Sequence, residues 1–329
     1  MAHRHMTRRD LLALGLSLTA AHGARAQPTS RALTFIVPQP AGNPTDALAR
    51  KLQPALQNQL KQTVVVENFP GAGGSLGVNR AIASGRDSAT LIITSQTEPI
   101  LTPITVASAR YKAEDLRCLS LIGTGPYVLA GRPDLPVTTL QDLAALLRRT
   151  SDKPLSFGHI GHGSMIHLIG EQLSRKLKGN FTFVPYKGVP PLVQDLIGGQ
   201  IDLSFVPLAG PTANLIETGK IRAFGTTAAS PSPRIPSLPL LSRLDPTLTD
   251  FVYSSWAAVF APKATPAAQI EKFHAALAVA TADAEFRAFI EAAAIERAEA
   301  MSLVALERFY QEEIRTYRQL AKEIGVKPE

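Results

Sequence analysis

The chain has 329 residues, a length that accommodates about two domains of ordinary size. Its 45% hydrophobic and 19% charged content fits a globular protein and excludes a disordered one. The formal net charge of +7 is scattered, with no basic run and no interleaved aromatics, which argues against nucleic acid as a partner.

Residues 1–26 read as an export signal peptide outside the fold. Arg8 and Arg9 precede a short apolar run over 11–21, and Ala24, Arg25 and Ala26 form an A-x-A cleavage site. The run is shorter than the ~20 residues a membrane helix needs. Thr7-Arg8-Arg9 followed by Asp10-Leu11-Leu12 has the pattern of a twin-arginine signal, but Sec signals also carry arginine pairs, so both routes stay open. Cleavage after Ala26 removes four arginines and one aspartate, taking the net charge from +7 to +4. Cys118 is the only cysteine, so the sequence offers neither an intramolecular disulfide nor a lipid attachment site at the cleavage point. A soluble, periplasmic mature protein is expected.

The mature chain opens with a strand over Leu33–Val37, a loop over 38–44 and an amphipathic helix from about Thr45. "QTVVVENFPGAGGSLGVNRAIAS" gives a buried-type strand, a glycine loop and a helix beginning at Ser75. "ATLIITSQTEPI" is a third strand, ending in Thr94, Ser95 and Gln96. "LRCLSLIGTGPYVLAGRPDLPV" predicts two strand-like runs, and "TTLQDLAALLRR" a capped helix. Residues 155–208 then read strand, glycine loop, helix, strand, loop, helix, strand, with Ser164 as the N-cap of a helix carrying Ile166, Ile169 and Leu173. A helix, a strand and a proline-rich irregular segment follow, then the strand "FVYSSWAAVFAP" and helices over 266–280, 282–293 and 303–324. There is no internal sequence repeat. The fold class is therefore α/β with parallel βαβ units, which bind ligands at the carboxyl ends of strands against helix N-termini. The glycine loop 161–164 occupies such a place.

Four stretches in sequence order resemble the tripartite tricarboxylate transporter receptors, the Bug-type extracytoplasmic solute-binding proteins. They are "VVVENFPGAGGSLG", "GHGSMIHLIGE", "FVPYKGVPPLVQDLIGGQIDLSF" and "SSWAAVFAPKATP". The resemblance covers nearly the whole mature chain. It implies a two-domain periplasmic-binding-protein fold, type II-like, closing on its ligand as a hinged trap with two crossover strands. The implied domains are 31–128 with 252–329, and 129–251. The resemblance further implies capture of a small organic carboxylate, delivery to membrane permease subunits, no catalysis, no cofactor and a monomeric protein. A periplasmic partner of a membrane receptor kinase is the alternative reading, since both roles use the same closed trap.

Within that resemblance the first loop departs from the family pattern: Gln39 stands where an aromatic is usual and Asn43 where a glycine is usual. The implied ligand contacts are Gln39, Ala41, Gly42, Asn43 and Thr45 in the first loop, Ser75 after the glycine turn, and Ser95 and Gln96 at a strand end. Gly161, His162, Gly163, Ser164 and His167 follow in the central loop, with Pro207 after a later strand. Structural roles compete at several of these: capping for Thr45 and Ser75, and bracing of the loop for His167. Lys187 suits either anion steering or a solvated surface, and Asp46 suits a helix N-terminus.

Three enzyme-like patterns fail on the residues themselves. A dinucleotide-binding G-x-G-x-x-G would need glycine at Leu76. A nucleophile elbow around Ser164 would need glycines at His162 and Ile166. His159, His162 and His167 are close in sequence, but no cysteine or carboxylate pattern completes a zinc site.

Overall fold

The computed structural model describes residues 32–84, 89–149, 154–293 and 295–327. The signal peptide, its cleavage site and the choice of export route lie outside the described residues. Two three-stranded parallel units make up most of the sheet. The first is β1 (Leu33–Val37), β2 (Val64–Asn68) and β3 (Thr90–Ser95), with β1 between the other two. The second is β5 (Leu155–His159), β6 (Phe181–Pro185) and β7 (Leu203–Pro207), with β5 in the middle. The same strand order recurs in both halves although the sequence carries no repeat.

The strand β4 (Leu116–Gly131) joins them. Its first part pairs antiparallel with β9 (Ser254–Pro262), which in turn pairs with β3. Its last part pairs antiparallel with β7 and with β8 (Arg222–Thr226). The sequence reading of two separate runs is thus corrected to one strand of 16 residues. Register shifts between Cys118 and Ser120 and between Leu121 and Gly123 absorb the irregularity that suggested a break. The return passage enters β9 beside β4, with Ser254 opposite Pro126. These are the two crossings that the resemblance implied.

The helices form because their apolar residues recur at helical spacing. In α1 (Pro44–Leu60), Leu48, Leu52, Leu56 and Leu60 face a core shared with β1, β3 and two later helices, α7 (Ala267–Ala282) and α8 (Ala284–Ala292). Between them come α2 (Ser75–Ala83), α3 (Leu140–Arg149), α4 (Met165–Lys176), α5 (Val189–Ile197) and α6 (Thr212–Glu217). Proline supplies the start of α1 and α5 at a position where a missing N–H costs nothing.

The last helix, α9 (Leu303–Ile324), buries Leu306, Tyr310, Ile314, Tyr317 and Leu320 along one stripe. It touches both halves: Arg318 pairs with Glu114 through two bonds of 2.7 and 2.9 Å, and Arg175 of α4 donates to the carbonyls of Glu323 and Ile324. Among the described residues no helix is long and apolar enough to cross a membrane.

The crossing is tied by one buried side chain. Gln96, only 1% exposed, donates to the Tyr127 hydroxyl at 2.9 Å and to the Ser254 carbonyl at 3.3 Å, and accepts from the Trp256 N–H at 3.2 Å. Thr227 adds a second tie, accepting from the Tyr127 N–H and donating from its own N–H to the Tyr127 carbonyl. Gln96→Leu keeps the shape but strands these buried groups, at about 1–3 kcal/mol for each left unpaired. Scanning calorimetry should show a melting temperature lower by several degrees; an unchanged value would mean the tie contributes nothing to folding.

Candidate functional site

A cavity of about 540 Å³ lies where the carboxyl ends of all six parallel strands point. The loops after β1, β2 and β3 form one wall, and those after β5, β6 and β7 the other. Leu48, Met165, Ile166, Val189, Trp256 and Ile295 give the wall a largely apolar character.

Of the residues expected at the site, Gln39, Asn43, Thr45, Ser95, Gly161, His162, Ser164 and Pro207 line this cavity. The others sit elsewhere. Ala41 and Gly42 are exposed in the first loop, where the Gly42 N–H donates to Asp46. Ser75 is fully buried at the start of α2 and its hydroxyl has no partner among the described residues. Gln96 is committed to the crossing, and Gly163 and His167 are buried behind the cavity wall. Sequence reasoning missed Glu98, Tyr127 and Trp256 as lining residues; Lys187, for which it left anion steering and a solvated surface open, is an exposed residue at the cavity wall.

The first loop is held from below by Asp46. Its carboxylate accepts from the Gly42 N–H at 3.0 Å and from Asn68 Nδ2 at 3.0 Å, and pairs with Arg50 at 3.1 Å. Burial alone would push this carboxyl up, but the Gly42, Arg50 and Asn68 donors outweigh it and hold the acid below its ordinary value. The loop fixed this way presents Gln39, whose Oε1 accepts from the Thr45 hydroxyl and whose Nε2 donates to Glu98 at 2.6 Å.

The opposite wall is built on the start of α4. Ser164 caps the helix in extended conformation, its Oγ accepting from the His167 N–H at 3.4 Å. Leu168 N–H is taken by the Ser164 carbonyl. Among the described residues nothing accepts the N–H of Met165 or of Ile166, both of which line the cavity. Two unpaired donors at the positive end of a helix are a suitable seat for an anion.

Two imidazoles, His159 and His167, brace that loop from behind, with His162 of the loop itself close by. His167 lies 4.7 Å from His159 and 4.9 Å from His162, ring centre to ring centre. The Nδ1 atoms of His159 and His167 accept the N–H groups of Gly161 and Gly163, each at 3.2 Å. Those bonds spend one nitrogen of each ring on shaping the loop, and the described residues contain no group of three or more His, Cys, Asp or Glu placed to hold a metal. Burial first, then the neighbouring His159 and His162, lower the His167 pKa from 6.5 to about 3, so it stands neutral in the folded protein. Gly163 is one point where the halves meet: at φ +70° it sits so close to Thr105 that an added Cβ would fall 2.2 Å from the threonine side chain.

A family model described as "Tripartite tricarboxylate transporter family receptor" matches residues 48–326. The chain belongs to the tripartite tricarboxylate transporter receptor family. Three solved structures of similar fold bear on this receptor. The periplasmic binding protein BugD is 28% identical with a TM-score of 0.80, over 91% of this chain and 99% of that one. MatC from Rhodopseudomonas palustris, solved with malate bound, is 27% identical with a TM-score of 0.79, over 88% and 98%. The R. palustris protein Rpa4515, solved with adipate, is 26% identical with a TM-score of 0.80, over 91% and 99%. The receptor is thus a periplasmic solute-binding protein and not an enzyme.

Two outcomes are expected of variants here. A His that binds its proton near 6.5 when unfolded but only near 3 when folded contributes stability above 6.5 that is lost as pH falls towards 3. His167→Asn keeps an acceptor for Gly163 and removes the titration, so its melting temperature should fall less steeply over that window; parallel curves would refute the assignment. Gly163→Ala crowds Thr105, at about 1–3 kcal/mol for overpacking. It should weaken ligand binding measured by calorimetry more than the same change at exposed Gly42, whose added Cβ would meet nothing.

Proposed function

We propose that this receptor captures a small organic carboxylate in the cavity and passes it to the permease subunits of a tripartite tricarboxylate transporter. The cavity would then lie between lobes formed by residues 31–128 with 252–329 and by residues 129–251. The observation that carries the reading is the pair of unclaimed N–H groups, Met165 and Ile166, on the cavity wall at the start of α4. The malate and adipate seated in MatC and Rpa4515 support it. Lys187 on the same wall would draw anions inward before they reach the apolar interior.

Binding would close the trap because both walls contact the ligand only when near one another, so the ligand shifts the population towards the closed form. The leader at 1–26, with its arginine pair, would deliver the chain to the periplasm before cleavage after Ala26.

The test is a thermal-shift screen of the chain from Gln27 onward against mono-, di-, tri- and aromatic carboxylates. A ligand at 100 times its dissociation constant adds ~2.7 kcal/mol. For a chain of this size that is a rise of several degrees. At least one acid should give it; silence across all four classes would remove carboxylate capture as the function.

A further inference from the structure

The cavity that is offered to an organic acid carries a carboxylate of its own. Glu98 follows β3 in a wide, π-helical turn, Thr97–Leu101, lines the cavity and is 5% exposed. Its Oε1 accepts from Gln39 Nε2 at 2.6 Å, and its Oε2 from the hydroxyls of Thr94 at 2.6 Å and Ser95 at 2.9 Å. All three partners are neutral donors. Among the described residues no lysine or arginine pairs with Glu98. A carboxylate oxygen has two acceptor positions, so Oε1 with a single partner keeps one unfilled. Gly74 makes the arrangement possible: a Cβ there would fall 2.5 Å from Glu98 Cγ and 3.1 Å from the Pro38 carbonyl.

A buried negative charge held only by neutral donors favours a cation beside it and opposes another anion. The unclaimed N–H groups of α4 and Lys187 belong to the loops of the other half, so the cavity is polar in two senses: donors on one wall, an acceptor on the other. Between them the wall is apolar. We infer that the solute is a zwitterion, an organic acid with an apolar body and a protonated nitrogen, whose carboxylate meets the α4 side and whose nitrogen meets Glu98. This rests on the carboxylate reading above and narrows it. The Gln39–Glu98 bond also gives the unusual first loop a role. Gln39 donates to Glu98 at one end and accepts from Thr45 at the other, fixing the acceptor's direction.

Two matched triples test the idea by titration calorimetry. One is 6-aminohexanoate, hexanoate and adipate; the other is 3-(aminomethyl)benzoate, 3-methylbenzoate and isophthalate. Hexylamine and benzylamine serve as acid-free controls. In at least one triple the wild-type protein should hold the zwitterion at least about tenfold tighter than either partner, as one added charged hydrogen bond supplies. Glu98→Gln should erase that preference and improve the diacid. If the diacid or plain acid binds as well as the zwitterion, or better, in both triples, the Glu98 assignment is overturned and carboxylate capture stands. If only the amines bind, and Glu98→Gln abolishes it, carboxylate capture fails and the cation site survives. If none of the eight compounds binds, the zwitterion reading falls, and the four-class carboxylate screen decides carboxylate capture by itself. Should Glu98→Gln not fold, the wild-type order of affinities decides alone.

Discussion

The arrangement of the site depends on the hydrogen bonds that Gln96 makes at the crossing. That side chain fastens the turn after β3 to Tyr127 of β4 and to Ser254 and Trp256 of β9. Two residues further on lies Glu98, and Tyr127 and Trp256 are themselves cavity wall. The same amide thus sets where the two passages cross, where the turn points and how the wall is shaped. It does so in a place from which water is excluded, where each bond is stronger and each loss more costly than at the surface.

Much of this was legible in the sequence because it is local. Period-two strands, helical stripes and proline or glycine at helix ends located nearly every element, and Ser164 was readable as a cap because it precedes an apolar helical run. The parallel units followed from alternation of strand and helix. What failed was non-local. The two runs read over 116–131 are one strand, because pairing with β9 carries β4 through Gly123, Gly125 and Pro126 before β7 takes it over. Glu98 gave no signal, since an acidic residue beside a proline ordinarily reads as an exposed turn. Its burial depends on Gln39, 59 positions away, and on the space left by Gly74. Gln96 looked like a ligand contact because it ends a strand. The structure turns it instead towards β4 and β9.

Electrostatically the site is sparing. Among the described residues no arginine lines the cavity, and the charged side chains on its wall are Lys187 and Glu98. The solute's carboxylate would then rest on oriented backbone groups rather than on a buried arginine. Such groups lose little on being desolvated compared with a buried ion pair, and a trap that must release its solute benefits from that economy. The histidine cluster fits the same logic. His167, kept neutral by its burial, accepts from Gly163 and shapes the glycine loop without adding a field of its own.

Cys118 lies inside β4, 1% exposed, and burial pushes its thiol up to about 12. The thiolate, which is the form that reacts, is therefore almost absent at neutral pH, and the sulfur is shielded as well. In an oxidising compartment this leaves the chain without a competent partner for stray disulfides. It also makes the folded protein a clean background for site-directed labelling. Thiol reagents would find only cysteines introduced on purpose, so a dye pair set on facing rims could follow the trap's motion without removing the native residue.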